Sequence, residues 1–265
     1  MNDGARNDLA SQFGGIASEA GKLIMSVYSS IKEVATKADG SPVTAADTGA
    51  ERIIRARLAK VLPDVPVVAE ESFDPKAAES APGRFLLVDP LDGTREFIAG
   101  SREFTVNIAL VENGLPIAAC VYAPALDQIY VAGTEAFRAD LRPGGDLPAL
   151  DRMKKIATQP YPAEGLRALA SRSHLDAESQ ALLRRLSVNA WQAAGSSLKF
   201  CLIAQGDGDI YPRLAPTMEW DTAAGQAVLT AAGGCVIGRD GSPLRYGKAG
   251  FRNGGFVAWG RAPLA

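Results

Sequence analysis

The sequence is poor in histidine and cysteine. Its 265 residues contain one histidine, His174, and three cysteines, Cys120, Cys201 and Cys235. A single histidine argues against histidine-based catalytic triads and multi-histidine zinc sites. The cysteines are odd in number, lie in apolar surroundings and lack C-x-x-C spacing, which predicts reduced thiols in a cytoplasmic protein. Any catalysis is therefore expected to depend on carboxylates.

The chain also lacks an excess of charge of either sign and any long apolar run. It has 28 Lys and Arg against 30 Asp and Glu, a formal net charge of -2. A balanced charge argues against a nucleic-acid partner, which requires clustered Lys and Arg. No run approaches the roughly 18 apolar residues of a membrane span, and the polar start MNDGARNDLA is unlike a signal peptide. We expect no transmembrane segment; peripheral contact with the inner face of a membrane stays open.

The first half of the chain reads as a mixture of helices and antiparallel strands. Apolar residues with three- and four-residue spacing predict a helix over about 6–35. A second helix begins at Thr44 or Asp47 and is stopped by Pro63. The strands FTVNIALV and LPIAACVYA flank Glu112-Asn113-Gly114, which predicts a β-hairpin.

The second half alternates strands with helices, which is typical of an α/β layered domain. Residues 138–152 contain Pro, Gly and Asp with little periodicity, so we place a domain junction there. The predicted domains are residues 1–140, an α+β metal-binding and catalytic domain, and residues 141–265, an α/β substrate-binding domain. The tryptophans Trp191, Trp220 and Trp259 are expected to pack in the core or against other residues rather than to form a stacking platform.

The clearest chemical motif lies where an apolar strand ends. The run RFLLVDPLDGT stops being apolar at Asp89, and Asp92 follows three residues later. Pro90 stiffens the turn between them, and Gly93 allows close backbone approach by a ligand. A turn with solvated acids explains such a pattern about as well as a ligand site does, so both interpretations stay open on this motif alone.

Further acids accompany this motif. Glu70-Glu71 ends the preceding strand, and Asp221 begins a predicted helix far downstream. Two carboxylates about 4 Å apart repel by roughly 4 kcal/mol at an effective dielectric of about 20, so several gathered acids need cations. Oxygen ligands without histidine or cysteine favour Mg²⁺, Mn²⁺ or Ca²⁺ over zinc. One sequence alone does not show that these strand ends meet in space.

Three segments resemble the signature segments of a known enzyme family. Glu70-Glu71-Ser72, DPLDGT at 89–94 and WDTAAG at 220–225 look like those of the lithium-sensitive inositol monophosphatase superfamily, in the same order. Longer strings, among them LVDPLDGTREFI, GSSLKFCLIA and YPR, resemble its 3'(2'),5'-bisphosphate nucleotidases. The likeness runs from about residue 37 to residue 234. It implies the layered αβαβα fold of that superfamily, an α/β fold with an α+β N-terminal half and an α/β C-terminal half.

The resemblance also implies which residues act. The ligands of Mg²⁺, about two or three ions, would be Glu70, Asp89, Asp92, Asp221 and the carbonyl of Leu91. Asp47, in the matching segment PVTAAD, would orient the attacking water together with Thr94, and Glu70 would serve catalysis as a ligand. The N–H groups of Gly93 and Thr94 would hold phosphate oxygens beside Asp221. Taken alone, Asp47 and Asp221 are more typical of acids in the first turn of a helix, and Thr94 of a cap.

Substrate contacts also follow from the resemblance. It puts Ser173, His174, Ser196 and Lys199 near the adenosine and its second phosphate, with Arg213 as a further candidate. Lys199 would supply a point charge to phosphate. From the sequence alone, a surface lysine and a loop histidine explain Lys199 and His174 equally well.

The resemblance implies a magnesium-dependent phosphatase whose substrate is a small molecule. It would remove the 3'-phosphate of adenosine 3',5'-bisphosphate, giving AMP and phosphate, with the sulfated analogue as a further substrate. Lithium inhibition and a monomer or homodimer are expected. The alternatives are activity on inositol phosphate or fructose bisphosphate, and, in another class, a non-catalytic regulator that binds metal or nucleotide. The complete set of acids argues against the regulator.

Overall fold

The computed structural model describes residues 1–29, 35–36, 42–74, 82–171 and 176–262. The predicted contacts Ser173 and His174 lie outside the described residues. The helices are α1 (Asp3–Tyr28), α2 (Ala45–Val61), α3 (Thr94–Ile98), α4 (Ala177–Arg185), α5 (Leu198–Ala204) and α6 (Ala223–Ala231). None of these described helices is long and apolar enough to cross a membrane.

A seven-stranded sheet forms most of the N-terminal half. A small antiparallel pair, β1 (Ala35–Thr36) and β2 (Pro42–Val43), precedes it. The strands of the seven-stranded sheet, in spatial and chain order alike, are β3 (Val67–Ala69), β4 (Arg84–Asp92), β5 (Thr105–Glu112), β6 (Leu115–Ala123), β7 (Gln128–Ala132), β8 (Ala136–Asp140) and β9 (Lys154–Ile156). β3 runs parallel to β4, and every later pair is antiparallel. The predicted hairpin joins β5 to β6, where Asn113 and Gly114 have φ of 52° and 77°, as a two-residue type I′ turn requires.

A five-stranded sheet forms the C-terminal half. Its strands, in spatial order, are β11 (Val188–Ala194), β10 (Leu166–Ser171), β12 (Ile210–Arg213), β16 (Phe256–Trp259) and β14 (Cys235–Gly238). β10 is parallel to β11 and β12, whereas β16 is antiparallel to its two neighbours. A separate short pair, β13 (Thr217–Met218) and β15 (Arg252–Asn253), was not evident from sequence periodicity.

Alternate residues of β4 pack into two different cores. Leu86 and Val88 pack with residues of α1 and α2, whereas Phe85 and Leu87 pack with residues of α5 and α6. A strand covered on both faces reads as a continuous apolar run, as β4 does. α5 and α6 also contact the five-stranded sheet, and α4 packs on its far face. The layers are therefore α1/α2, the large sheet, α5/α6, the small sheet and α4, which confirms the predicted αβαβα fold.

Element boundaries follow local signals. Thr44 caps α2 in a capping box with Asp47, as one of the two predicted starts requires. α1 ends at Tyr28, short of the predicted residue 35. The division of the chain at residue 140 stays a prediction, and the large sheet continues past it, because β9 pairs with β8. The expectation of a packed side chain is wrong for Trp191, which is 67% exposed on the edge strand β11.

Candidate active site

An irregular step in β4 positions Asp89 and Asp92. Asp89 pairs with Asn107 of β5 and Asp92 with Thr105, so three steps along β4 face two along β5. Pro90 has no backbone N–H to donate to the ladder, which favours a bulge at this point. The N–H of Leu91 donates instead to Asp89 Oδ1 over 3.0 Å. Both carboxylates line the same cavity as a result.

Carboxyl groups from three elements meet at this end of β4. Glu70 begins the 3-10 turn after β3, Asp89 lies in β4, and Asp221 lies just before α6. One oxygen of each lies within 4.8 Å of the other two. Asp89 is buried, and Glu70 and Asp221 are half-buried. The ends of β3 and β4 and the segment before α6 therefore meet in space, which the sequence alone did not show.

Burial and mutual repulsion raise the pKa of two carboxyl groups of this cluster, Asp89 and Asp221. Desolvation is the largest cause that raises the pKa of Asp89 well above its usual range, and the neighbouring carboxylates raise it further. Desolvation, followed by the charges of Asp92 and Glu70, raises the pKa of Asp221 to about 8. A divalent cation offsets such repulsion, and an all-oxygen donor set suits Mg²⁺, Mn²⁺ or Ca²⁺. The residues present therefore fit a hard divalent cation.

Asp47 and Thr94 form a hydrogen-bonded pair beside the cluster. Thr94 Oγ1 donates to Asp47 Oδ1 over 3.0 Å. Asp47 Oδ2 accepts from the N–H of Thr44 at 2.8 Å and from its hydroxyl at 2.6 Å. Asp47 is buried, and each of its carboxylate oxygens accepts at least one hydrogen bond. Asp47 is thus a helix-cap residue and a partner of Thr94 at once.

A cavity of about 280 Å³ is lined by residues from both halves of the chain. Predicted site residues that line it are Glu70, Asp89, Leu91, Asp92, Gly93, Thr94, Ser196, Lys199, Arg213 and Asp221. Asp47 is connected to it through Thr94. Tyr211, Thr217 and Thr222 line it as well. All predicted site residues that the structure describes therefore lie in or directly beside one cavity.

The two predicted cationic contacts have different environments. Lys199 is 2% exposed and donates to the carbonyls of Ala194 and Ser196 over 3.2 and 2.6 Å, so the alternative of a surface lysine is wrong. Burial is the main cause that lowers the pKa of Lys199 to about 8. Arg213 Nε is buried and has no hydrogen-bond partner among the described residues. Arg213 lines the cavity, and a guanidinium there is suited to an anion.

Sequence reasoning missed three polar residues that hold the site together: Asn107, Ser197 and Glu51. Asn107 is 1% exposed and donates to Ser197 Oγ over 3.0 Å. Glu51 accepts the N–H of Glu71 over 2.7 Å, which fixes the turn that carries Glu70. Asn107 had a signal, because it is a lone amide in the apolar strand FTVNIALV; Ser197 and Glu51 read as an ordinary cap and a helix surface acid.

The fold and the arrangement of acids define the class of protein. Residues 7–259 match the Inositol monophosphatase family, and the chain belongs to that family. Among curated relatives, the 3'(2'),5'-bisphosphate nucleotidase CysQ of Escherichia coli K12 is 43% identical over 247 residues, covering 91% of this chain and 95% of the relative. The nucleotidase of the same name from Buchnera aphidicola is 39% identical, with 92% and 90% covered.

Solved structures agree with this assignment. The crystal structure of CysQ from Bacteroides thetaiotaomicron, a bacterial member of the inositol monophosphatase family, superposes with a TM-score of 0.82 at 37% identity. The superposition covers 96% of this chain and 97% of that one. The Thermotoga maritima IMPase matches with a TM-score of 0.74 at 25% identity, over 92% and 89% of the two chains.

Proposed function

We propose that this phosphatase removes the 3'-phosphate from adenosine 3',5'-bisphosphate, giving AMP and phosphate, and that it also accepts the sulfated analogue. The observation that carries the proposal is the cluster of Glu70, Asp89 and Asp221 at a cavity that Thr94 and Arg213 also line. The relatives at 43% identity are named 3'(2'),5'-bisphosphate nucleotidases, which supports the choice of substrate.

Mg²⁺ is the proposed cofactor. Its ligands would be the carboxylates of Glu70, Asp89, Asp92 and Asp221 and the carbonyl of Leu91, all of which line the cavity. Mg²⁺ suits a site that combines a few carboxylates with substrate phosphate. When bound, it would lower the pKa of a water molecule and neutralise charge on the phosphate and the leaving oxygen.

Asp47 and Thr94 are the proposed groups that orient the attacking water. Thr94 Oγ1 lies 3.0 Å from Asp47 Oδ1 and 3.3 Å from the carbonyl oxygen of Leu91, and donation of its hydrogen to Asp47 leaves its lone pairs to accept a hydrogen from water. A proton that leaves the water can move to Thr94 Oγ1 while the Thr94 proton moves to Asp47 Oδ1. Thr44 holds Asp47 Oδ2 and thereby keeps Oδ1 directed at Thr94.

The turn at the start of α3 is the proposed cradle for the scissile phosphate. Gly93 and Thr94 line the cavity, and Gly93 has φ of 96°, a conformation that a side chain disfavours. A Cβ at position 93 would also lie 3.3 Å from the carbonyl oxygen of Glu103. Glycine therefore suits this turn, whose N–H groups at Gly93 and Thr94 are the proposed donors to phosphate oxygens.

The second phosphate is proposed to bind near Arg213, Lys199 and Ser196. Support comes from the position of all three residues along the cavity. Contacts from Ser173 and His174 stay predictions, because both residues lie outside the described part of the chain.

Phosphate release from matched substrates tests the choice of substrate. Adenosine 3',5'-bisphosphate, inositol phosphate and fructose 1,6-bisphosphate would be compared with Mg²⁺ present. We expect a preference of at least about tenfold for the nucleotide, equivalent to about 1.4 kcal/mol. A tenfold preference for inositol phosphate would contradict the proposal and favour the alternative phosphatase activity.

Asp92→Asn tests whether the chain is catalytic at all. The exchange removes one proposed ligand charge with little change in volume, so phosphate release should fall by at least about 100-fold. Asp140→Asn is the control, because the Asp140 side chain is 84% exposed in strand β8. Equal release by wild type and Asp92→Asn would support the non-catalytic regulator.

A cytoplasmic location belongs to the proposal, as does action as a monomer or homodimer. Cys120, Cys201 and Cys235 are free thiols, which is typical of a reducing compartment. The described residues give no support to a peripheral membrane contact, and we do not propose one.

A further inference from the structure

The turn between β11 and α5 contacts the carboxylate of Asp92 with several donors, and all of them use the same oxygen. Ser196 Oγ lies 2.6 Å from Asp92 Oδ2, Ser197 N lies 2.8 Å from it and Ser197 Oγ lies 3.1 Å from it. The amide of Asn107 approaches the same oxygen at 3.5 Å. Among the described residues, these hydrogen bonds to the carboxylate all go to Oδ2, which leaves the lone pairs of Oδ1 for another partner.

Ser197 occupies a helix-capping position but does not cap the helix. It is the residue before α5, where a serine hydroxyl ordinarily accepts an N–H from the first turn. Its side chain makes no such bond. The hydroxyl is buried instead between two proposed ligand segments, 3.1 Å from Asp92 Oδ2 and 2.8 Å from the carbonyl oxygen of Asp221. Ser197 therefore connects the end of β4 with the start of α6.

The turn itself is held by contacts on every side. Ser196 has φ of 55°, a left-handed conformation that persists in a non-glycine residue only when its surroundings enforce it. Lys199 donates to the carbonyls on both sides of Gly195, and the Gly195 N–H donates to Glu103 Oε2 over 2.8 Å. A Cβ at position 195 would lie 2.5 Å from the carbonyl oxygen of Glu103. The conformation of this turn is thus fixed by contacts other than those with Asp92, so the turn can hold the Asp92 side chain in place.

We propose that Ser197 is a positioning residue for the cation site: it holds Asp92 through Oδ2, so that Oδ1 is presented to the divalent cation. The inference rests on the proposed role of Asp92 as a ligand. Ligand carboxylates are commonly oriented by such hydrogen bonds, whose loss weakens metal binding by about 10–100-fold. Ser196 and Ser197 belong to the C-terminal half and Asp92 to the N-terminal half, so the site depends on how the two halves pack.

Binding of Mn²⁺, followed by the electron paramagnetic resonance signal of the free ion, tests this role. Ser197→Ala removes the hydroxyl contacts to Asp92 and to the Asp221 carbonyl but keeps the Ser197 N–H. We therefore expect Mn²⁺ binding to weaken about tenfold, the lower end of that range, at one class of site. Ser197→Cys retains a weak donor and should give an intermediate affinity. Ser18→Ala is the matched control, because Ser18 is also 1% exposed and its hydroxyl donates to Gly145 O over 2.8 Å, in helix α1.

Phosphate release gives a second measurement that a purely structural role would not change in the same way. Ser197→Ala should require about tenfold more Mg²⁺ for half-maximal activity, while kcat at saturating Mg²⁺ stays within about threefold. Unchanged Mn²⁺ affinity in Ser197→Ala, or an equal loss in Ser18→Ala, would overturn the inference alone. Absence of Mn²⁺ binding by the wild type would overturn the proposed cation site and the inference with it.

Discussion

Single residues at this site each serve both the fold and the proposed chemistry. Asp47 closes the capping box of α2 with one oxygen and holds the Thr94 hydroxyl with the other. Asp221 accepts the N–H of Met218 over 3.0 Å while its carboxylate joins the acidic cluster. For Asp47 the helix-cap and the functional interpretations are compatible, because a carboxylate has two oxygens that can have different partners. Asp221 precedes Thr222, the N-cap of α6, so its interpretation as an acid of the first helical turn is wrong.

Replacement of Asp47 separates these two roles. Asn at position 47 keeps an oxygen for a hydrogen bond but cannot take up a proton at neutral pH. We expect kcat of phosphate release to fall about 10²–10⁴-fold in Asp47→Asn, with KM nearly unchanged. Asp64→Asn, at an exposed position after α2, is the control. A variant that kept a third or more of the wild-type kcat would contradict the proposed proton path through Thr94.

At the scale of elements, two glycines of α1 differ in what a side chain at their position would contact. Gly15 is exposed, and a Cβ there would meet no other atom within 4 Å. Gly21 is buried, and a Cβ there would lie 2.5 Å from Cε1 of Tyr122 in β6. The close approach of α1 to the large sheet thus depends on a glycine on one face only.

The free energies of unfolding of Gly15→Ala and Gly21→Ala test how α1 packs on the large sheet. Gly15→Ala should raise the free energy of unfolding by about 0.5–1 kcal/mol, because alanine loses less backbone entropy in a helix. Gly21→Ala should lower it by about 1–3 kcal/mol, since the Tyr122 ring or the helix has to shift. Urea unfolding of both variants checks the difference. A stabilised Gly21→Ala would show that α1 does not pack on β6 as described.

At the scale of the whole molecule, stability without metal should depend on pH through the acidic cluster. Folding raises the pKa of Asp221 to about 8 and that of Asp89 well above its usual range. Between about pH 4, where these groups ionise in the unfolded chain, and pH 8 the folded protein binds more protons. Stability conferred by this difference is complete below pH 4 and is lost as the pH rises toward 8.

Thermal unfolding at pH 5 and pH 8, with EDTA and with excess Mg²⁺, tests the predicted pH dependence of stability. In EDTA the contribution of the cluster should be smaller at pH 8, and Mg²⁺ should raise Tm more at pH 8 than at pH 5, because cations bind the ionised carboxylates. Asp221→Asn should reduce both effects, whereas Asp64→Asn should leave them unchanged. An equal Mg²⁺ effect at both pH values, or in Asp221→Asn, would argue against the cluster as the cation site.

Much of the architecture followed from local patterns. Capping at Thr44, the two-residue turn after Glu112 and the apolar run of β4 are short-range signals, and the corresponding elements form where they were predicted. The pairing of β13 with β15 was not predictable, because Thr217 and Asn253 are 36 residues apart and each strand is too short to show a period. The exposure of Trp191 likewise depends on β11 lying at the edge of its sheet.

Residue type and near-neighbour spacing by themselves determined most helices and strands, the kinds of ligand atom and the three acidic segments, whereas the layered fold was implied by the resemblance to a known family. Only the tertiary structure showed that Glu70, Asp89 and Asp221 lie within one cluster, and that Ser197 and Lys199 point inward. The reason is physical: long-range proximity depends on how two sheets and their shared helices pack. The lone histidine excluded one kind of chemistry, but the packing assembled the carboxylates that fit another.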